Sequence, residues 1–388
     1  MKSTMPHRRK RPLQRLIILI VGIILLGIGI KIVLAIINYA PVAYQVAFNK
    51  DIDLKKTQDQ RVNILLLGIG GGSHEGPNLT DTIIFTSIDP KNKKVTMVTI
   101  PRDLWVPDLS AKVNYAYAVG EADKKGKGLL LAKASVGKIL GQKIDYGFRI
   151  DFNGFIKAVD RMGGLDIDVA RSFDDYAYPL SGKEDELCGV SEDEVATLSA
   201  QIATGSATEF DLFPCRYEHL HFDKGTQHMD GETALKYVRS RHALGPEGSD
   251  FARSQRQERV INAFKDRVFS AGTLLNPLTL VSLYDTFQAS IDTDIQKSEY
   301  DDFVKLAEKM KGAETKNYVI DTGDQTSERP DLLINPPLSS DRYGGAWVLV
   351  PKAGPSNYSD IQSYVRCLVE NIGCPITPTP PPKTVKNN

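Results

Sequence analysis

The chain has 388 residues, 41% hydrophobic and 25% charged, a balance that excludes a largely disordered polypeptide and leaves room for two or three folded units. Formal net charge is zero, yet residues 1–31 hold seven Lys or Arg and no acid, so the remainder carries 41 basic and 48 acidic residues, a net of −7. An acidic bulk of this kind excludes nucleic acid as an expected partner.

Residues 1–15 are a basic segment with Lys2, Arg8, Arg9, Lys10, Arg11 and Arg15. The apolar run over residues 16–38 has about the ~20 residues a helix needs to cross a bilayer. Lys31 interrupts it near the far end, where a long stem reaches the interface. A cleaved signal peptide has a shorter apolar core, and Asn38-Tyr39-Ala40-Pro41 makes a poor cleavage site. The basic flank orients the N-terminus inward. The expectation is a single-pass protein of the cell membrane, with a cytoplasmic N-terminus and an extracytoplasmic remainder.

Residues 39–60 read as a juxtamembrane connector. Val62 to Ile69 is almost continuously apolar and predicts a strand buried on both faces. The glycine-rich residues 70–78 form a loop. Thr82 to Asp89 and Lys94 to Ile100 predict two further strands joined at Pro90-Lys91-Asn92. Leu129 to Leu140 has helical spacing, with Leu130, Ala134 and the Gly137–Leu140 stretch available for one face. Tyr146 to Ile150 predicts a strand, and Asn153 caps a helix that ends at Gly163-Gly164. Leu165 to Val169 follows as a strand. Strands alternating with helices predict a layered α/β fold.

Residues 171–225 break this rhythm with an acidic inserted excursion. Helices then return, capped by Asp230 and Asp250, with further helical segments near 278–290 and 298–311. Residues 313–376 read as a separate small α+β unit, with strands at Tyr318 to Asp321 and Ala346 to Val350 and a helix near Tyr358 to Val369. Residues 377–388 are a Pro-rich tail. The four cysteines, Cys188, Cys215, Cys367 and Cys374, lack CxxC spacing, and an even count outside the cytoplasm points to disulfides. Of the three connectivities, Cys188–Cys215 with Cys367–Cys374 is the economical one.

Two groups of residues point to chemistry. If the second and third strands form a hairpin, Asp81 and Asp103 meet at one sheet edge. Two hard oxygen ligands with room for water and phosphate suit Mg²⁺. Either carboxylate alone reads equally as a turn cap or a surface ion pair. Arg239, Arg241, Arg253, Arg256 and Arg259 fall within one short stretch, and Arg253 and Gln257 share a helix face. Guanidinium forks suit pyrophosphate oxygens, with Arg102 and Arg149 as possible additions; the bland alternative is a solvated basic face. GxSxG, HExxH and P-loop patterns are absent.

An ordered set of stretches resembles the LytR-CpsA-Psr proteins of bacterial envelopes. It comprises Asn63 to Gly68, Thr80-Asp81-Thr82, Val95 to Asp103, Lys112 to Tyr117, Asp151 to Phe155, Gly163-Gly164-Leu165, Asp230 to Arg241, Asp250 to Arg253 and Arg256-Gln257. The resemblance covers about residues 61–268. It implies a three-layer α/β/α domain over residues 61–312, with a groove for a polyprenyl chain. It implies Mg²⁺-dependent transfer of a glycopolymer from polyprenyl pyrophosphate to a peptidoglycan hydroxyl, with membrane lipid close by. By motif, Asp81 and Asp103 correspond to metal ligands. Arg102, Arg239, Arg241, Arg253 and Gln257 correspond to pyrophosphate-binding residues, Arg149 stands where the family often has a basic or polar residue, and Arg102 and Arg241 join the two carboxylates as catalytic groups.

There are departures. Leu79 stands where the family usually has Arg, and the 171–225 excursion and residues 313–376 fall outside its pattern. Two rival readings use the same residues: a polyprenyl-pyrophosphate hydrolase with water as acceptor, and a non-enzymatic, membrane-anchored regulator that holds lipid or polymer.

Overall fold

The structure, a computed structural model, describes residues 51–56, 59–72, 76–268, 290–323, 330–337, 341–370, 372 and 374. The chain divides into two compact units: residues 55–295 with 308–388, and residues 1–54 with 296–307. The span expected at 16–38, the helix expected at 278–290 and the Pro-rich tail lie outside the described residues. Among the described residues no helix is long and apolar enough to cross a membrane.

The larger unit begins with β1 (Val62–Ile69), β2 (Thr80–Asp89) and β3 (Lys94–Thr99), close to the strands the apolar pattern predicts. Short β4 (Trp105–Val106) and β5 (Ala111–Lys112) pair with each other ahead of helices α1 (Tyr115–Asp123) and α2 (Gly128–Leu140). On α2 Ile139 and Leu140 are buried as expected, together with Leu129, Ala132 and Val136, but Leu130 and Ala134 are exposed. Strand β6 (Tyr146–Asp151) runs directly into α3 (Phe152–Arg161). Its cap is Asp151, whose carboxylate accepts from Gly154 N–H at 2.7 Å, rather than Asn153. Both residues suit a cap, and the strand register decides between them.

Strand β7 (Leu165–Val169) forms as expected, just before the excursion. The excursion holds β8 (Phe173–Pro179), α4 (Glu192–Ala203), a helical turn at Glu209–Leu212 and β9 (Tyr217–Phe222), and β10 (Gly225–Met229) begins at its end. β7 pairs with β10, and β8 with β9, both antiparallel, so the insertion is a β-ribbon with a helical tip. Cys188 and Cys215 are bonded across that tip.

Helices α5 (Gly231–Arg239) and α6 (Asp250–Val268) follow. Asp230 caps α5 by accepting from Thr233 N–H at 2.8 Å, as expected. At the start of α6, Ser249 Oγ accepts from Ala252 N–H at 3.2 Å. Gly231 is required by packing: a Cβ there would lie 2.3 Å from the Ile156 carbonyl oxygen on α3.

Strand β11 (Ile291–Thr293) precedes α7 (Tyr300–Lys309), close to the helix expected near 298–311. In the smaller unit, α7 carries the buried Lys305, whose ammonium donates to Asp302 at 2.9 Å and to the Asp51 carbonyl at 3.0 Å.

The separate C-terminal unit expected over 313–376 is not formed. Strand β12 (Glu314–Val319) pairs in parallel with β3 and completes a six-stranded mixed sheet in the order β11-β6-β1-β2-β3-β12. Beyond it, β13 (Leu333–Ile334) pairs with β14 (Val350–Pro351), and α8 (Ser359–Glu370) is the last helix among the described residues. Ile320, Leu332, Leu333, Ile361 and Val365 share one buried core with Leu65 and Phe85 of the sheet and Ile139 of α2. The segment is apolar where it meets that core, so it folds onto the sheet and not onto itself. Cys367 and Cys374 are bonded. A second core joins α3, α5 and α6 to the β7–β10 and β8–β9 pairs.

Candidate active site

The hairpin that β2 and β3 were expected to form is present, with Ile84 opposite Thr99 and the Ile100 N–H donating to the Ile83 carbonyl at 2.9 Å. That register brings the start of β2 beside the end of β3. Asp81 and the Arg102-Asp103 pair therefore converge. Arg102 donates to Asp81, and its Nε lies 3.5 Å from Asp103 Oδ2. Lys112 reaches the other Asp103 oxygen at 2.7 Å. Among the described residues the buried Arg102 Nε has no hydrogen-bond partner.

Two carboxylates on fixed strand ends, engaging one cationic group, are a donor set that suits a small hard divalent ion. Among the described residues no group of three or more His, Cys, Asp or Glu is arranged to hold a metal. A cation at Asp81 and Asp103 would therefore complete its shell with water or phosphate oxygens, as Mg²⁺ commonly does.

A cavity of about 810 Å³ opens beside this pair. Asp81, Arg102, Arg239, Arg241, Arg253 and Gln257 all line it. Six of the eight expected site residues thus share one space. Asp103 faces an adjoining cavity of about 410 Å³, which also touches Asp81, Arg102, Arg253 and Gln257. Gln257, one turn after Arg253 on α6, donates to Thr82 Oγ1 at 3.2 Å and ties that helix to β2. Leu79 lines the larger cavity, an apolar side chain where the family pattern has a cation.

Arg149 is placed elsewhere. It donates to Tyr117 Oη and the Ser290 carbonyl, each at 3.2 Å, and lines neither cavity. Burial pushes the Tyr117 phenol up to about 12, with Arg149 opposing the rise. These contacts commit Arg149 to bracing α1 against β6.

The supports of the guanidinium groups were not legible in the sequence. Arg239 lies 4.4 Å from the centre of the Phe152 ring and donates to Tyr178 Oη at 3.1 Å. Burial raises the Tyr178 pKa, and Arg239 works against it. Asp175 is fully buried; one carboxylate oxygen accepts from Ser240 Oγ at 2.6 Å and from the Arg241 and His242 N–H groups at 3.2 Å. Arg256, counted at first with the cationic cluster, instead points into the core and is fully buried. It donates to the carbonyls of Tyr237 at 3.0 Å, Glu247 at 2.8 Å and Ser240 at 2.6 Å. Burial lowers its pKa, and the nearby Glu247 carboxylate counters the shift. The end of α5 has carbonyls left over from helix pairing, and the loop after it has N–H groups outside the helix. Arg256 takes the first and Asp175 the second, which fixes Arg239 and Arg241 at the cavity.

Comparison with known proteins bears on this arrangement. The LytR_cpsA_psr family model matches residues 37–328. The chain is 28% identical over 258 residues to the polyisoprenyl-teichoic acid–peptidoglycan teichoic acid transferase TagV of Bacillus subtilis, covering 65% of this chain and 53% of that protein. It is 27% identical over 258 residues to the corresponding TagU of Bacillus cereus, covering 65% and 66%. The chain thus spans about half to two thirds of the length of these relatives. The crystal structure of B. subtilis TagV shares the fold, with a TM-score of 0.50, 23% identity, and coverage of 81% of this chain and 99% of that one. With a mixed α/β fold and a family match across most of its length, the chain belongs to the LytR-CpsA-Psr family.

Proposed function

We propose that this protein transfers a glycopolymer from a polyprenyl pyrophosphate carrier to a hydroxyl of peptidoglycan, leaving a phosphodiester. The observation that carries this reading is the shared cavity of Asp81, Arg102, Arg239, Arg241, Arg253 and Gln257. Four guanidiniums on rigid elements suit the charge of a pyrophosphate, and the names of the relatives point to the same donor and acceptor classes. The acceptor oxygen attacks the phosphorus that bears the glycan, and the bridging P–O bond to the second phosphorus breaks. Polyprenyl monophosphate departs with that electron pair, and the acceptor hydroxyl gives up its proton. Arg102 and Arg241 are assigned to the oxygens that gain charge, while Arg239, Arg253 and Gln257 hold the pyrophosphate in register. Asp81 and Asp103 would hold Mg²⁺, which when bound neutralises phosphate charge. The expected anchor at residues 16–38 would keep the site beside its lipid-borne substrate, outside the cytoplasm.

The test supplies the full chain with a labelled polyprenyl-pyrophosphate oligosaccharide, Mg²⁺ and a soluble peptidoglycan fragment. Labelled glycan attached through phosphate to the fragment, with release of polyprenyl monophosphate, is the expected result. Release of free glycan phosphate with every acceptor supplied would identify a hydrolase. Donor binding without turnover would identify a holding protein.

A further inference from the structure

The smaller cavity has a wall the first lacks. Its outer side is built by the C-terminal segment, with Asp321, Thr322, Gly323, Asn335 and Trp347. Asn335 and Trp347 lie beyond the 37–328 family match. The wall is neutral apart from Asp321, whereas the larger cavity is lined by four arginines together with Asp81, Glu184 and Asp185.

Trp347 is held in place yet exposed. Its relative exposure is 45%, while the next residue, Val348, is 1% exposed. The Leu349 N–H donates to the Asp103 carbonyl at 3.0 Å, and its own carbonyl accepts from Trp105 N–H at 2.8 Å. Asn335 Nδ2 donates to the Val348 carbonyl at 2.7 Å, which ties its amide to the residue after Trp347. The Asp321 carboxylate accepts from Gly323 N–H at 2.8 Å. Two residues after the indole, the chain is therefore bonded directly to the backbone of a site carboxylate.

We propose that this smaller cavity is the acceptor subsite, and that Trp347 is the platform on which a pyranose ring of the acceptor glycan stacks. The proposal rests on the transferase reading above. A pyranose offers a C–H face that packs on an indole and a rim of hydroxyls that Asn, Asp and Thr side chains bond, and this wall supplies both. In-line phosphoryl transfer needs room for nucleophile and leaving group on either side of the phosphorus. The two cavities meet along Asp81, Thr82, Arg102, Arg253 and Gln257. A phosphorus held at that shared row has the cationic cavity for the departing phosphate and the aromatic one for the attacking hydroxyl.

The donor's own sugar chain offers the same ring chemistry, so the experiment separates the two sources. The full chain is assayed as wild type, Trp347→Ala and Trp347→Phe, with donor and peptidoglycan-fragment concentrations varied independently. The expected result is an acceptor KM raised about tenfold in Trp347→Ala, largely restored in Trp347→Phe, with donor Kd unchanged in both. The chain holds two tryptophans, so Trp105→Phe leaves Trp347 as the only indole emitter. Trp105 packs edge-on to Tyr343, a contact Phe preserves. In that background, a soluble β-linked N-acetylhexosamine oligosaccharide should shift the emission without any donor present. A weakened donor Kd with unchanged acceptor KM would assign the ring to the donor glycan and overturn the proposal. Unchanged KM with no emission response would overturn it as well. If no acceptor were modified by the wild type while the oligosaccharide still shifted Trp347 emission, the transferase reading would fall and the sugar site would stand.

Discussion

The carboxylate side and the guanidinium side of this site are held in different ways. Asp81 and Asp103 stand at strand ends, fixed by the β2–β3 register over an apolar core containing Ile83, Phe85, Val98 and Ile100. Arg239 and Arg241 stand at a helix end and in the loop after it, fixed by two fully buried charged residues, Asp175 and Arg256. A strand end satisfies most of its backbone through the neighbouring strand, so Asp81 and Asp103 need only the nearby Arg102 and Lys112 as side-chain partners. A helix end leaves carbonyls and N–H groups unpaired and needs polar partners drawn from elsewhere in the chain.

Breaking the guanidinium side should have the largest effect. Asp175→Ala strips partners from Ser240, Arg241, His242 and Ala177, and Arg256→Met strips them from three carbonyls and Glu247. Each should cost about 3–5 kcal/mol of stability, the range for one partner removed from a buried charged network. Denaturant titration checks this; a loss under about 1 kcal/mol in both would show that the network does not hold the loop.

On the carboxylate side the same kind of change should spare the fold and remove the chemistry. Asp81→Ala and Asp103→Ala delete groups at a cavity edge whose strands are fixed by other residues. Transfer should fall by roughly 10²–10³, as for other lost electrostatic contacts in an active site, with the melting point little changed. Wild-type turnover in either variant with Mg²⁺ present would remove that carboxylate from the mechanism.

This contrast also marks what the sequence could reveal. The carboxylate pair was legible because a hairpin is a local object: Pro90-Lys91-Asn92 and the alternation of Lys94 to Ile100 suffice to bring Asp81 to Asp103. The Arg253–Gln257 face was legible from helical spacing. Asp175 and Arg256 were not, because their partners lie on other elements and no periodicity links Asp175 to Ser240. The place of the C-terminal segment is not legible in the sequence for a related reason. β12 joins the sheet in parallel beside β3, and a parallel pairing leaves no turn in the sequence to announce it.

A finer cut tests the nature of the cationic contacts. Arg241→Lys and Arg253→Lys keep the charge and lose the planar fork. If these residues grip pyrophosphate, each should weaken donor binding and turnover about ten- to a hundredfold, or about 1.5–3 kcal/mol. Titration with a polyprenyl pyrophosphate followed by the transfer assay reads both. Silent variants would mark a solvated basic face, while the sheet side stayed as it is.

The smallest effect lies one residue from the buried support. Successive side chains on β8 point to opposite faces, so Asp175 is buried while its neighbour Asp174 faces solvent. Asp174 Oδ1 meets His219 Nε2 and His221 Nδ1, each at 2.8 Å, and His221 Nε2 lies 3.2 Å from Asp223. With a carboxylate at each ring nitrogen, His221 prefers the imidazolium, and its hydrogen bonds to Asp174 and Asp223 raise its pKa. Hydrogen bonds from His221 and His219 lower that of Asp174. The His221 contribution is complete below its unfolded pKa of about 6.5 and fades as pH rises through the higher folded value. The Asp174 contribution is complete above about 3.9 and fades as pH falls through its lower folded value. The β8–β9 ribbon should therefore be tightest between about pH 4 and 6.5 and loosen towards pH 8. These groups are solvent-exposed and screened, so the change should be local, with no shift in global melting. Titration of the His221 ring protons by NMR should give a pKa above 6.5, returning towards it in Asp174→Asn. Over the same rise in pH, amide exchange should quicken on the outward side of the ribbon, while the Arg241 and His242 amides held by Asp175 keep their protection. If the Arg241 and His242 amides loosened together with the exposed pair, the two faces of β8 would be one cooperative unit, and the separate support assigned to the guanidinium side would fail.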